Sequence, residues 1–222
     1  MVVGTLHEAS GIRSLSKINR SKMLGIDLLE ARLDSLPAKF IDSLPLSSLQ
    51  PFPMIATARH PAEGGAGDLF PTKRRDLLER SLNWASAIDV ELRSARAFAP
   101  LIATAHQNGR TVILSHHNFS STPTLAAMNE LARRASDLGA DLLKVASFLR
   151  GPADLGRLIE FQSAKLQVPV TCMGMGPAGR FSRIVLSGFG APLCYGWLGK
   201  QQVPGQWPAL KLAGVLSEVL PV

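Results

Sequence analysis

Cysteine is scarce in this sequence: two thiols, Cys172 and Cys194, in 222 residues, each inside an apolar run. Two buried thiols do not make a disulfide framework and point instead to a reducing compartment, read here as the cytoplasm. Neither belongs to a Cys-x-x-Cys pair, so a zinc site is not expected. Charged residues are also few, at 18%, below the usual level of about a quarter; with 46% hydrophobic residues the chain can bury a sizeable core and is not a disordered one. No apolar run approaches bilayer-spanning length, and Met1–Leu6 is too short a stretch before charge sets in to be a secretory leader. No stretch resembles an interdomain linker, so residues 1–222 are read as one domain.

Acid is outnumbered by base: 17 Asp and Glu against 24 Lys and Arg leave a formal charge of +7. Such a balance favours an anionic partner. The basic clusters Lys73-Arg74-Arg75 and Arg133-Arg134 are short, fall on predicted helices and carry no interleaved aromatics. They are read as solvated helix surface, not as a nucleic-acid or membrane footprint. An acidic metabolite is the other kind of partner that such a charge admits.

What is present is an alternation. Apolar runs at Val2–Leu6, Ile26–Leu33, Met54–Ala58, Ile88–Leu92, Thr111–Ser115, Leu142–Ala146, Val168–Met173 and Pro192–Trp197 read as strands, several apolar enough to be covered on both faces. Between them lie helical spacings, such as Leu77, Leu78, Leu82 and Trp84, or Ala126, Leu131, Ala135 and Leu138, and a last set runs from Leu210 to Leu220. Thr122-Pro123 and Gly151-Pro152 look like helix starts; Asn108-Gly109 and Gly139 look like stops. Eight strands alternating with helices predict an α/β fold, a single-domain (β/α)8 TIM barrel. The competing doubly wound sheet would carry a glycine-rich turn after its first strand, and none follows Val2–Leu6.

In such a barrel, catalytic groups stand at the carboxyl ends of the strands. Those positions hold Glu30 and Arg32, Arg59 and Glu63, Asp89 and Glu91, His116 and His117, Lys144, Arg183 and Gln206. Lys144 lies inside an apolar strand, where desolvation and neighbouring cations would favour the neutral, nucleophilic amine that imine chemistry needs. It could equally pair with a buried carboxylate such as Glu91. His117 suits proton transfer near neutral pH, although spacing alone leaves His116 open. Glu63 could orient the ring. Glu30 and Arg32 could form a buried ion pair and nothing more.

The ordered set of motifs resembles the type I 3-dehydroquinate dehydratases over nearly the whole chain. Ser115-His116-His117-Asn118-Phe119 is similar to that family's histidine motif, and Leu143-Lys144-Val145-Ala146 to its lysine strand. Glu30-Ala31-Arg32-Leu33-Asp34 and Arg59 through Glu63-Gly64-Gly65 match two more elements; Met173-Gly174-Met175, Ser182-Arg183 and Pro204-Gly205-Gln206 match the rest. The resemblance implies a carbon–oxygen lyase of the shikimate pathway that needs neither metal nor organic cofactor and assembles as a homodimer. It implies that Lys144 forms a Schiff base and that His117, oriented by Glu63, moves the proton in a syn elimination. Arg183 would clamp the substrate carboxylate, Gln206 would belong to a lid, and Glu30, Arg32 and Arg59 would bind hydroxyls and tune the field. Met173, Met175, Phe119 and Tyr195 would form an apolar wall.

The chain departs from the pattern in places. Gln202 stands where the family has a lid serine and is assigned to substrate binding in its place; His60 stands where serine is common; Asp34–Pro53 looks truncated and rich in loop. Two other readings stay open at this level. A class I aldolase would use Gly174, Gly176 and Gly179 to grip a phosphate, and a diverged barrel would bind ligand without turning it over.

Overall fold

The computed structural model describes residues 1–8, 25–36, 52–67, 69–201 and 204–220. Eight strands appear in it: β1 (Val2–Leu6), β2 (Leu28–Arg32), β3 (Met54–Thr57), β4 (Ala87–Glu91), β5 (Thr111–Asn118), β6 (Leu142–Phe148), β7 (Val170–Met175) and β8 (Cys194–Trp197). Every ladder is parallel, and they run in the order β7-β6-β5-β4-β3-β2-β1-β8, so the sheet curls until β8 lies beside β1. Across the β7–β8 seam, Thr171 Oγ1 donates to the carbonyl of Leu193 at 2.6 Å. Outside stand α1 (Pro71–Ser81), α2 (Ala99–Gln107), α3 (Leu125–Asp137), α4 (Pro152–Ser163), α5 (Gly179–Gly188) and α6 (Ala209–Val219). The fold is the expected (β/α)8 barrel.

Side chains alternate in and out along each strand, and this alternation builds two layers. Outward residues such as Leu29, Ala56, Ile88, Leu114 and Val145 pack with Leu78, Leu101, Met128 and Leu158 of the helices. Burying each such leucine, isoleucine or methionine contributes about 1.5–3 kcal/mol. Inward residues Val3, Ile55, Ala87, Ile113 and Leu142 form an apolar floor. Two residues further along the same strands, Thr5, Thr57, Asp89, Ser115 and Lys144 face the same axis, and all are buried. A polar layer therefore sits on an apolar floor toward the carboxyl end of the barrel.

Three expectations need correction. The helix after β5 does not start at Thr122-Pro123: Thr124 caps α3, accepting from the Ala127 N–H at 3.2 Å. Thr122 is buried, and its hydroxyl donates to the Phe148 carbonyl at 3.0 Å, pinning the loop to β6; Thr-Pro-Thr offers two caps, and packing chose the second. β5 and β6 run on past their apolar runs, because His116 pairs with Val145, His117 with Ala146 and Asn118 with Ser147. Finally, Arg74 is not solvated surface. It is 1% exposed, donates to the Ala58 carbonyl at 2.8 Å and pairs with Glu91. The stops at Asn108-Gly109 and Gly139 and the start at Gly151-Pro152 lie where expected, with Gly109 and Gly139 at positive φ. Most of the segment Asp34–Pro53 lies outside the described residues.

Candidate active site

Glu30, Arg32, Arg59, Glu63, His117, Phe119, Lys144, Met173, Met175, Arg183, Tyr195 and Gln206 line one cleft at the barrel mouth, and Thr5 joins them. Asp89, Glu91 and His116 do not line it, and Gln202 lies outside the described residues.

At the bottom of the cleft lies a buried network of opposite charges. Lys144 Nζ stands 3.0 Å from Asp89 Oδ2 and 3.5 Å from Glu30 Oε1, with the Tyr195 ring centroid 3.9 Å away. Sequence reasoning placed cations around this amine, or Glu91. The structure instead gives it Asp89 and Glu30, because Lys144 and Asp89 project from β6 and β4 onto the same axis while Glu91 is taken by arginines. Arg59 donates from Nη2 to Asp89 at 2.9 Å and from Nη1 to Asp89 at 3.0 Å and Glu91 at 3.1 Å. Arg74 holds the other oxygen of Glu91. Burial opposes ionisation of Asp89, but Arg59 and Lys144 override it and hold the carboxyl far below the usual range. Glu30 follows the same rule: burial opposes its charge most, but Lys144 together with Arg32 and Arg59 holds the carboxyl below its usual range, and Thr5 and Thr57 donate to it at 2.8 and 2.9 Å. Arg59 is thus more a structural hub than a free substrate ligand.

Above this network sits a histidine–carboxylate pair. Glu63 ends a short 3-10 turn, Pro61–Glu63, which His60 caps by accepting from the Ala62 N–H. The Gly-Gly that follows is a packing requirement, since a Cβ on Gly65 would stand 2.2 Å from the Arg59 carbonyl oxygen. Glu63 Oε2 accepts the backbone N–H of His117 at 3.0 Å and lies 3.0 Å from the ring Nδ1. With Glu63 ionised, that contact puts the ring proton on Nδ1 and leaves Nε2 as the basic nitrogen. Burial, then Arg59 and Lys144, push the His117 imidazole well below its usual value, so it is neutral at pH 7. Burial, with Glu91 nearby, pushes Glu63 up to about 7.

The third feature is a buried cation without an acid. Arg183, on α5, is 3% exposed and donates only to carbonyls: Tyr195 from Nε at 3.0 Å, and Gly174, Gly179 and Gly205 from Nη1 at 2.9, 2.8 and 2.9 Å. Among the described residues its Nη2 carries no hydrogen bond. Burial lowers its pKa to about 10. A guanidinium held this way is prepared for an anion. The Pro204-Gly205 turn is drawn onto it, with Gly205 at φ +87 and its Cβ position 2.2 Å from the Gly176 carbonyl oxygen. Gln206, beside that turn, reaches the cleft, as do Met173 and Met175. Arg32 is bidentate to Asp34 at 2.9 and 2.8 Å, and Asp34 also accepts the Arg59 and Ala66 N–H groups. Its partner is therefore Asp34 and not the expected Glu30.

Sequence reasoning noticed Asp89 but gave it no role, considered Glu91 only as a partner for Lys144, took Arg74 as surface and missed Thr57. Asp89 and Glu91 are two apart in a buried strand, which was signal enough to place both on the axis. Among the described residues, no group of three or more His, Cys, Asp or Glu side chains is placed to hold a metal ion. Nor is any described helix long and apolar enough to cross a membrane.

Comparison with known proteins agrees with this geometry. The family model described as type I 3-dehydroquinase matches residues 5–219. A 3-dehydroquinate dehydratase of Methanothermobacter thermautotrophicus is 32% identical over 199 residues, covering 89% of this chain and 87% of that protein. One from Latilactobacillus sakei is 33% identical over 215 residues, covering 93% and 88%. The bifunctional 3-dehydroquinate dehydratase/shikimate dehydrogenase of Arabidopsis thaliana is 36% identical over 202 residues, but this chain spans only 32% of its length. The crystal structure of the Geobacillus kaustophilus 3-dehydroquinate dehydratase superposes with a TM-score of 0.85 at 25% identity, covering 98% of this chain and 90% of that one. The chain belongs to the type I 3-dehydroquinase family.

Proposed function

We propose that this barrel converts 3-dehydroquinate to 3-dehydroshikimate and water through an imine on Lys144. The observation that carries the reading is the convergence in one cleft of a buried amine, a neutral imidazole braced by a carboxylate, and an arginine lacking an acid. The substrate carboxylate takes Nη2 of Arg183 and supplies the missing charge. Lys144, having given up a proton, attacks the ketone; loss of water leaves a protonated imine, whose positive charge Asp89 and Glu30 are placed to stabilise. That cation draws electrons from the adjacent C–H. His117 Nε2 removes the proton, and the resulting imidazolium, held by Glu63, returns a proton to the departing hydroxyl on the same face. Hydrolysis of the imine releases the enone and restores the amine. Thr5 and Glu30 stand within the cleft to meet ring hydroxyls, and the methionines give it an apolar side.

The aldolase alternative loses its support. The Gly174 N–H donates to Ser182 Oγ at 3.0 Å and the Gly179 N–H to the Gly176 carbonyl at 2.9 Å, so these groups are not free for a phosphate. The reading extends to a homodimer working in the cytoplasm: the first rests on the family, the second on two buried, unpaired thiols.

Borohydride added with 3-dehydroquinate is expected to leave a stable adduct on the peptide bearing Lys144, read by mass spectrometry. An adduct on the peptide bearing Lys200, or none in a protein that turns over, overturns the imine assignment.

The proton-transfer pair gives a pH test. With Glu63 near 7, its acceptor charge is present above that pH, and kcat/KM is expected to rise with pH through this region. In Glu63→Gln the limb near 7 should vanish, with a loss of about 100-fold. A limb unmoved in that variant would assign it to another group.

A further inference from the structure

Beside the active-site cleft lies a second one, which shares Glu63 and His117 as one wall. Its other wall gathers Arg93 from the loop after β4, His116 from β5 and Arg134 from α3. The arginines are exposed and the histidine is half-buried. Among the described residues, no side chain of the three makes a hydrogen bond or ion pair. That contrasts with their surroundings. Arg133, next to Arg134 on α3, is tied to Glu130 and Asp137 at 2.7 Å each. Arg75 is paired with Glu79, Arg80 with Asp76, and Arg157 with Asp154. Several surface arginines of this protein find acids; these two, from separate elements, line one cleft without one. His116 sits between them with neither ring nitrogen engaged.

We propose that this cleft binds a phosphate oxyanion, as inorganic phosphate or a phosphate monoester, held by Arg93, His116 and Arg134 and coupled to the proton-transfer pair through Glu63. The recognition is the usual one for phosphate, planar donors around a compact anion. Binding does not depend on the proposed dehydration; the coupling does, because it takes Glu63 and His117 as the catalytic pair.

The sign of the coupling follows from the charges present. Glu63 is faced by Glu91 on β4, Arg59 after β3, Arg93 after β4 and His117 on β5. His116 is faced by Arg134 and Arg93, which with burial hold its pKa down. His60, faced by Arg74, Arg93 and Glu91, lies near the rim. An anion on Arg93 cancels a charge that favours the Glu63 carboxylate and adds one that opposes it. Glu63 then stays protonated to higher pH, and by reciprocity protonation of Glu63 strengthens the hold on the anion. His116 would gain a proton more readily as well, in the same direction.

The test is calorimetric titration with inorganic phosphate, and with glycerol phosphate, at constant ionic strength. Wild type, Arg183→Gln and the double variant Arg93→Gln/Arg134→Gln are compared. The expected result is affinity kept in Arg183→Gln and weakened at least about tenfold in the double variant. Binding of the monoester with the same dependence marks a phosphorylated metabolite as ligand; its exclusion marks free phosphate. Affinity lost in Arg183→Gln and kept in the double variant places the anion in the catalytic cleft and overturns the proposal. Both variants are checked by thermal melting, and the His116 ring resonances, followed by NMR in the wild-type protein, should titrate at higher pH with phosphate; unmoved resonances overturn the site without any variant. The acid limb of kcat/KM should move to higher pH with phosphate; binding with an unmoved limb overturns the coupling. Absence of turnover under every condition would instead count against the dehydratase reading.

Discussion

Lys144→Met is expected to lose about five orders of magnitude or more in kcat, as removal of a covalent nucleophile does. The protein should still fold, at a cost. Glu30 loses its main cation, while Asp89 keeps Arg59. The penalty falls near the lower end of the ~3–5 kcal/mol that follows removal of one partner from a buried pair. Its pH dependence has a definite sign. Glu30 and Asp89 are both held below their usual values, so the stability they contribute is fully present above about pH 4, the value in an unfolded chain, and is lost as pH falls below it. The gap between wild type and variant in urea melts should therefore narrow in acid. A variant retaining about a hundredth of wild-type kcat would show that the amine is not the nucleophile.

Arg59→Met should have the largest effect on folding. It leaves Asp89 and Glu91 facing one another in the barrel, with only Lys144 and Arg74 to offset them. A cost of about 3–5 kcal/mol is expected, or roughly 10 °C in Tm for a domain of this size. Arg59→Lys should recover only part of it, because an ammonium cannot match the fork that reaches both Asp89 oxygens and Glu91 together. A melt for Arg59→Met within about 2 °C of wild type would remove Arg59 as the hub and return it to a role in holding substrate.

The two variants divide what the sequence could disclose from what it could not. The barrel was readable because its outward residues, such as Ile88 and Val145, are apolar and recur at regular intervals. The cleft was readable because Glu30, Lys144 and His117 fall near strand ends in a fixed order. Pairing was not readable. Nothing in the spacing of Lys144 says that Asp89, 55 positions away, is its neighbour, because that depends on how the strands are staggered around the axis. Arg74 looked like surface because its neighbours Lys73 and Arg75 are surface; only the reach of Arg74 under the barrel rim to Glu91 separates it from them. The end of β5 was underestimated for a related reason. Histidines at the mouth break an apolar run, although the backbone ladder continues through them.

Arg183 joins two tasks in a single rigid plane. Its Nη1 edge holds the Gly205 carbonyl, and in the proposed reaction its Nη2 edge takes the ligand. A molecule that seats its acid group squarely on that plane leaves the covering turn undisturbed; one that tilts the plane loosens its own roof. An uncharged analogue fails twice, by leaving a buried cation unneutralised and by failing to brace the latch. In the proposed reaction, selectivity for acids and retention of the reacting molecule would thus be the same mechanical property, and product escape would require the arginine to let go of both at once.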